Sequence, residues 1–239
     1  MLGFIPKQKE ALHWMYKKRY LLYGGARGGG KSRFLRWGAI DFLLSLYQDK
    51  GIKGARVGLF CETYPDLRDR QISKIKLEFP AWLGRLADTK DQGLAFILNE
   101  ELGGGILALR NLDYPSKYQS AEFAGIFVDE LTKTSMETFH ILRGSLRWPG
   151  VSHTIFIGAS HPGSIGHAWV KALWIDKVFP REMQSISDQF HFIPSLPSDN
   201  SYLDKTYWED LNTLPDNLRR AWVLGDWSVF EGQAFQVFG

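Results

Sequence analysis

Cysteine is nearly absent: Cys61 is the single one in 239 residues. A disulfide framework is therefore excluded and a reducing compartment fits. Cys61 closes an apolar stretch and is expected to be a buried, inert thiol. Long apolar runs are missing too. No stretch reaches the about 20 consecutive apolar residues that span a bilayer. The opening residues, Met1 to Lys7, lack the apolar segment of a secretion signal. The expectation is a soluble protein of the cell interior with no membrane partner. Nor does charge of one sign dominate, since 29 Lys and Arg face 26 Asp and Glu, a net charge of +3. That balance permits nucleic-acid binding without arguing for it. Repeats and low-complexity tracts do not occur. What remains, 44% hydrophobic and 23% charged, is the composition of a globular chain large enough for one sizeable core.

Glycine, by contrast, is concentrated in one place. Gly25-Ala26-Arg27-Gly28-Gly29-Gly30-Lys31-Ser32 fits the pattern G-x-x-x-x-G-K-[ST] without a gap. Residues 19–23 before it read as a short buried strand and residues 33–47 after it as a helix. This strand–loop–helix setting separates a phosphate-binding loop from a flexible glycine-rich turn. Such a backbone wraps closely around phosphate oxygens, with successive N–H groups turned inward and the helix N-terminus adding positive potential. In this reading the segment from Gly25 to Ser32 cradles a nucleotide's phosphates. Lys31 bridges the β- and γ-phosphates, and the Ser32 hydroxyl ligates Mg²⁺.

The rest of the chain alternates between element types. Residues 6–18 read as an amphipathic helix, 55–61 as a strand and 65–79 as a charged helix opened by Pro65. Residues 94–98 and 106–110 flank a turn-rich gap and read as a hairpin. Strands follow at 125–129, 153–158 and 190–193, with helices at 135–146 and 165–175. After Pro194 the texture becomes linker-like, and residues 202–211 and 216–224 read as two short helices. Alternation of this kind implies a mostly parallel sheet covered on both faces, with ligand at the carboxyl ends of the strands. The expected division is a core over residues 1–194 and a small helical lid or linker subdomain over 195–239.

Hydrolysis also needs a metal carboxylate and a group that orients water. Asp129 and Glu130 end the apolar stretch Ile126-Phe127-Val128. Asp129 is expected to hold Mg²⁺ through its water shell and Glu130 to polarise the attacking water; the alternative is an ordinary acidic turn. Arg27, inside the loop, is placed to stabilise developing charge in cis. Arg143 or Arg147, on or just after the next helix, is placed to reach a neighbouring subunit's nucleotide, although a solvated helix face accounts for both. His161, in Ser160-His161-Pro162-Gly163, either senses a γ-phosphate or is a simple loop histidine. Gln8 carries an amide able to read an adenine edge, and a surface glutamine has the same signature.

Together these residues resemble the ATPase domain of the large terminase subunit, the DNA-packaging motor of tailed bacteriophages. The matching segments are Pro6-Lys7-Gln8, Gly24 to Ser32, Gly125 to Glu130, Leu142 to Trp148 and Gly158 to Gly163. Asp199-Asn200-Ser201-Tyr202-Leu203, Leu224-Gly225-Asp226-Trp227 and Glu231-Gly232 complete the set. The resemblance implies an α/β fold, a P-loop NTPase of ASCE type with a mostly parallel sheet flanked by helices. It implies ATP and Mg²⁺ as cofactors, with Gln8 near the adenine, Arg27 near the phosphates and a trans-acting arginine at Arg143 or Arg147. His161 stands where the family usually carries Asn before Pro. Implied partners are double-stranded DNA, the portal protein and the small terminase subunit. The implied assembly is a homo-oligomeric ring on the procapsid in the host cell cytoplasm, and a monomer in isolation is compatible with it. Arg33, Arg36, Lys74, Lys76, Arg219 and Arg220 are candidate DNA phosphate contacts. The family's nuclease carboxylates would lie beyond Gly239, so no DNA cleavage is expected of this chain. A P-loop kinase, with an acceptor pocket under the lid, and a non-hydrolysing nucleotide switch are the other functions such a domain supports.

Overall fold

The computed structural model describes residues 3–230; Glu231 and Gly232, the last residues to carry the resemblance, lie outside them. In chain order the elements are α1 (Pro6–Met15), β1 (Tyr20–Gly25), α2 (Lys31–Lys50), β2 (Arg56–Cys61), α3 (Tyr64–Leu67), α4 (Ser73–Glu78), β3 (Gly84–Thr89), β4 (Gly93–Leu98), β5 (Ile106–Asn111), β6 (Gly125–Asp129), α5 (Met136–Gly144), β7 (Ile155–Ser160), α6 (His167–Val170), β8 (Phe190–Ser195), α7 (Lys205–Asn212) and α8 (Asp216–Trp222). The strands follow the order β3-β4-β5-β2-β6-β7-β1-β8. β1 pairs in parallel with β8, and β2 in parallel with both β5 and β6. The β3–β4 and β4–β5 pairs are antiparallel. This is the α/β class expected, a largely parallel sheet flanked by helices.

Two compact units divide the chain. The first comprises Met1–Phe34, Glu130–Met136 and Gly158–Gly239; the second comprises Leu35–Asp129 and Glu137–Ile157. Residues 195–230 thus group with the first residues of the chain. In the first unit every residue of β1 is buried. Tyr20 stacks on Phe190 at 4.5 Å, and Trp174 packs on Phe190 at 4.9 Å while its indole N–H donates to the Tyr20 carbonyl at 3.2 Å. α1 opens with Pro6, and Gln8 reaches back to accept the Ile5 N–H at 3.2 Å. The second unit's β2 and β6 are near-continuous apolar runs, as strands covered on both faces require. Phe60 meets Phe123 at 5.6 Å and Phe139 meets Phe156 at 5.0 Å. Cys61 is buried and forms no disulfide. No helix among the described residues is long and apolar enough to cross a membrane.

Four departures from the sequence reading have local causes. α2 starts at Lys31, because the Gly30 carbonyl already accepts the Phe34 N–H at 3.1 Å. β7 lies two residues later than expected and makes Ser160 its last residue. The helices expected at 65–79 and 165–175 exist, but each is partly wound as a π-helix, over Arg68–Ile72 and Lys171–Asp176. β3 escaped notice because most of its side chains are partly or fully exposed, as an edge strand's are, so it lacks an apolar alternation.

At the amino ends of β1 and β8, Lys18 donates to the Asp188 carbonyl at 2.7 Å and Lys177 to the Phe190 carbonyl at 2.8 Å. The two lysines and His191 line a cavity of about 350 Å³. Burial, then the ammonium groups of Lys177 and Lys18, hold the His191 imidazole below its ordinary value, against an upward pull from Glu10.

Trp174→Ala should cost about 3–5 kcal/mol, measured by urea unfolding, since it empties a fully buried indole site. His191 favours the neutral form in the fold, so its contribution is complete above the ordinary histidine pKa of about 6.5 and is lost as pH falls through that range. His191→Gln should therefore flatten the decline of melting temperature between pH 7 and pH 5.

Candidate functional site

The loop after β1 is tied down from outside at three successive carbonyls. Asn200 Nδ2 donates to Gly28 O at 2.7 Å. The Tyr23 hydroxyl, at 3.0 Å, and the Ser195 hydroxyl, at 3.2 Å, donate to Gly29 O. Gln8 Nε2 donates to Gly30 O at 2.8 Å. Burial pushes the Tyr23 phenol up, so it stays protonated and able to donate. A trans peptide points its carbonyl and the following N–H in opposite directions. With the carbonyls of Gly28, Gly29 and Gly30 held outward, the N–H groups of Gly29, Gly30 and Lys31 face the other way. N–H groups left over in this way are the chemistry an anion at the N-terminus of α2 would use.

The loop has little room to change. Ala26 N–H donates to Ser195 O and Arg27 N–H to Trp222 O, at 2.8 and 2.7 Å. Gly25 sits at φ 121°, where a Cβ would stand 2.8 Å from the Ser195 carbonyl oxygen, and a Cβ on Gly29 would stand 1.8 Å from Ser195 Oγ. Lys31 is 8% exposed and donates to the Ala26 carbonyl, which keeps its ammonium group folded over the loop. The Arg27 guanidinium lies 3.3 Å from the centroid of the Trp222 ring. Beside Gly30 a cavity of about 470 Å³ is lined by Gln8, Arg33, Asn200 and Tyr202, among others.

Glu130 follows β6 in a left-handed conformation, φ 53°, a state that costs a non-glycine residue about 1–3 kcal/mol. The segment after it is pinned. Thr132 N–H donates to Ser160 Oγ at 3.2 Å, the two hydroxyls meet at 2.6 Å, and the Thr132 carbonyl accepts the Gly166 N–H at 2.7 Å. The Glu130 carboxylate lies 2.8 Å from His161 Nδ1, and the His161 ring stands edge-on to Trp222 at 6.1 Å. Trp222 thus contacts both Arg27 and His161.

The first unit therefore gathers Gln8, the loop from Gly25 to Ser32, Glu130 and His161. The second carries Asp129, Arg143 and Arg147. Asp129 accepts a hydrogen bond from Gln71 at 2.8 Å. Arg147 is exposed and pairs with Glu122 at 2.8 Å, and Arg143 is half-buried in the last turn of α5. Among the candidate DNA contacts, Arg36 is a correction: it is 4% exposed and bonded to Glu78, so it does not offer its charge to solvent. Arg219 and Arg220 are paired with Asp216 and Asp226. Ser195, Tyr23, Trp222 and Gln71 were not singled out from sequence. Of these, only Gln71 left a signal, a polar residue on an apolar helical stripe.

The fold is an α/β one with a glycine-rich loop between its first strand and α2. More particularly, it is similar to the fold of phage large terminases. No protein-family model and no curated protein matches the chain. The large terminase of a thermophilic bacteriophage, in complex with ATP-gamma-S, matches at a TM-score of 0.70 and 17% identity, over 94% of this chain and 53% of that one. The large terminase ATPase domain of Thermus phage P74-26 matches at 0.59 and 14%, over 95% of each chain. The large terminase of bacteriophage HK97 matches at 0.55 and 12%, over 91% of this chain and 46% of that one. The chain spans about half the length of the first of these terminases, and at these identities the likeness is one of fold.

Gly25→Ala should destabilise the protein by about 1–3 kcal/mol from backbone strain alone, with the contact on Ser195 adding to it. The lowered melting temperature reads this out; an unchanged one would mean that the β1–β8 junction yields easily.

Proposed function

We propose that the chain is the ATP-hydrolysing motor domain of a viral DNA-packaging terminase large subunit, moving double-stranded DNA into procapsids in the host cell cytoplasm. The observation that carries this reading is the tethered loop, whose three outward carbonyls leave a row of N–H groups for phosphate oxygens. The fold shared with phage large terminases, one of them solved with ATP-gamma-S, and with a large-terminase ATPase domain supports it. The residues fit a nucleotide triphosphate with Mg²⁺. The buried Lys31 folds a cation over the loop, beside which phosphate charge would lie.

In this reading the backbone of Gly25, Ala26, Arg27, Gly28, Gly29, Gly30, Lys31 and Ser32 holds the phosphates. Gln8 is already anchored by bonds to Ile5 and Gly30, and presents its second amide N–H to the base. The Ser32 hydroxyl would be a ligand of Mg²⁺, and Asp129, in the second unit, a carboxylate for Mg²⁺ through its water shell; the ion would neutralise phosphate charge. Glu130 takes the proton of the attacking water, with His161 orienting its carboxylate. Arg27 stabilises developing charge from within the loop once it leaves the Trp222 face. Arg143 or Arg147 does so from a neighbouring copy in a ring on the portal protein, with the small terminase subunit as a further partner.

Phosphate release from ATP, measured with and without duplex DNA, tests the reading. Glu130→Gln should retain nucleotide affinity and lose about 10²-fold or more of turnover. Lys31→Ala should lose nucleotide binding itself. Duplex DNA should raise wild-type turnover, and the effect should fade steeply with salt. Near-normal hydrolysis by Glu130→Gln removes that residue from the role, and indifference to DNA removes the motor.

A further inference from the structure

Gln71 is a polar residue on an apolar stripe. Leu67, Ile72 and Ile75 are its buried neighbours along the α3–α4 run, and Gln71 itself is 0% exposed. A buried amide is costly unless bonded at both ends, and this one is. Its oxygen accepts from Arg36 Nη1 at 3.0 Å and its nitrogen donates to Asp129 Oδ2 at 2.8 Å. The direction of the amide is dictated chemically. A guanidinium has only donors, so Gln71 must turn its oxygen to Arg36, which leaves its NH₂ for the carboxylate.

Arg36 is fixed in turn. Its Nε and Nη2 donate to the two oxygens of Glu78 at 3.1 and 2.5 Å, and Nη1 also donates to the Arg70 carbonyl at 3.3 Å. The Trp37 indole donates to the same Glu78 carboxylate at 3.1 Å. The helical run that carries Gln71 is π-wound over Arg68–Ile72, with Arg68, Asp69 and Arg70 exposed and Gln71 turned inward. Single-turn π-segments of this kind are rare in helices and recur at functional sites.

We infer that Gln71 is a positioning residue that holds the Asp129 carboxylate in one orientation toward a divalent cation, and that Arg36 holds Gln71. The inference rests on the reading of Asp129 as the Mg²⁺-side carboxylate. Arg36 lies four residues beyond Ser32 on α2, so the helix that carries the proposed hydroxyl ligand also carries the residue that holds Gln71. A bond on Oδ2 fixes the direction in which Oδ1 points, and outer partners of this kind tune metal affinity by about 10–100-fold.

The test is the gain in affinity for a fluorescent ADP on adding Mg²⁺ to protein first titrated in EDTA. Gln71→Leu should leave the EDTA affinity within about twofold and cut the Mg²⁺ gain by about tenfold. The Mg²⁺ concentration for half-maximal hydrolysis should rise in parallel. Gln71→Glu keeps the shape and the Arg36 contact, guards against loss of folding, and should cut the gain at least as far because it sets a second carboxylate against Asp129. A wild-type Mg²⁺ gain in both variants overturns the inference and leaves Gln71 as packing. Absence of any Mg²⁺ gain in the wild-type protein overturns the reading of Asp129, and the inference with it.

Discussion

A peptide unit cannot turn its carbonyl one way without turning the next N–H the other, and much of this molecule's first unit serves that constraint. Gln8 from α1, Tyr23 from β1, Ser195 from β8 and Asn200 just beyond it each donate to a loop carbonyl. The parallel pairing of β8 on β1 brings Ser195 opposite Gly25. The burial of Tyr23 keeps its hydroxyl a donor. The loop therefore owes its shape to these anchors rather than to its glycines alone, which permit the conformation but do not select it.

Polar groups elsewhere obey the same rule of full satisfaction, with different chemistry. In the second unit Arg36 is buried against Glu78 and Gln71, where a cation without partners would be untenable. Near β7 the strained backbone of Glu130 persists because Thr132 is bonded on both sides, to Ser160 and to Gly166. Rigid support next to a strained acidic residue is a means of presenting a side chain at an angle that a relaxed turn would not give.

Much of this was legible in the residues. The pattern from Gly25 to Ser32 and the apolar run ending at Asp129 announce themselves through types that only a tight loop or a buried strand tolerates. The hairpin at β4 and β5 shows in its turn residues, whereas the burial of Gln8 beside Gly30 does not show in a residue type that is as common on surfaces. The anchors of the loop were less visible. Ser195 and Tyr23 belong to strands whose pattern says only that they are buried, and nothing local says that a hydroxyl will face residue 29. The π-winding at Arg68–Ile72 also leaves no trace in periodicity, since it shifts the register by a single residue. Arg36 misled for the same reason: a basic residue on a helix looks solvated until the carboxylate 42 positions away is seen to meet it.

The separation of the anchors along the chain has a consequence for biosynthesis. Asn200 and Ser195 lie 172 and 166 positions after the carbonyls they bind. A growing polypeptide emerges from its N-terminal end at about 5–20 residues per second, so the glycine-rich segment leaves the ribosome many seconds before the side chains that shape it. Until those arrive, only Gln8 and Tyr23 among the anchors can hold it. A truncated product that ends before β8 would lack the Asn200 bond to Gly28 and the Ser195 bond to Gly29, so the loop would take its final shape as one of the last events of folding.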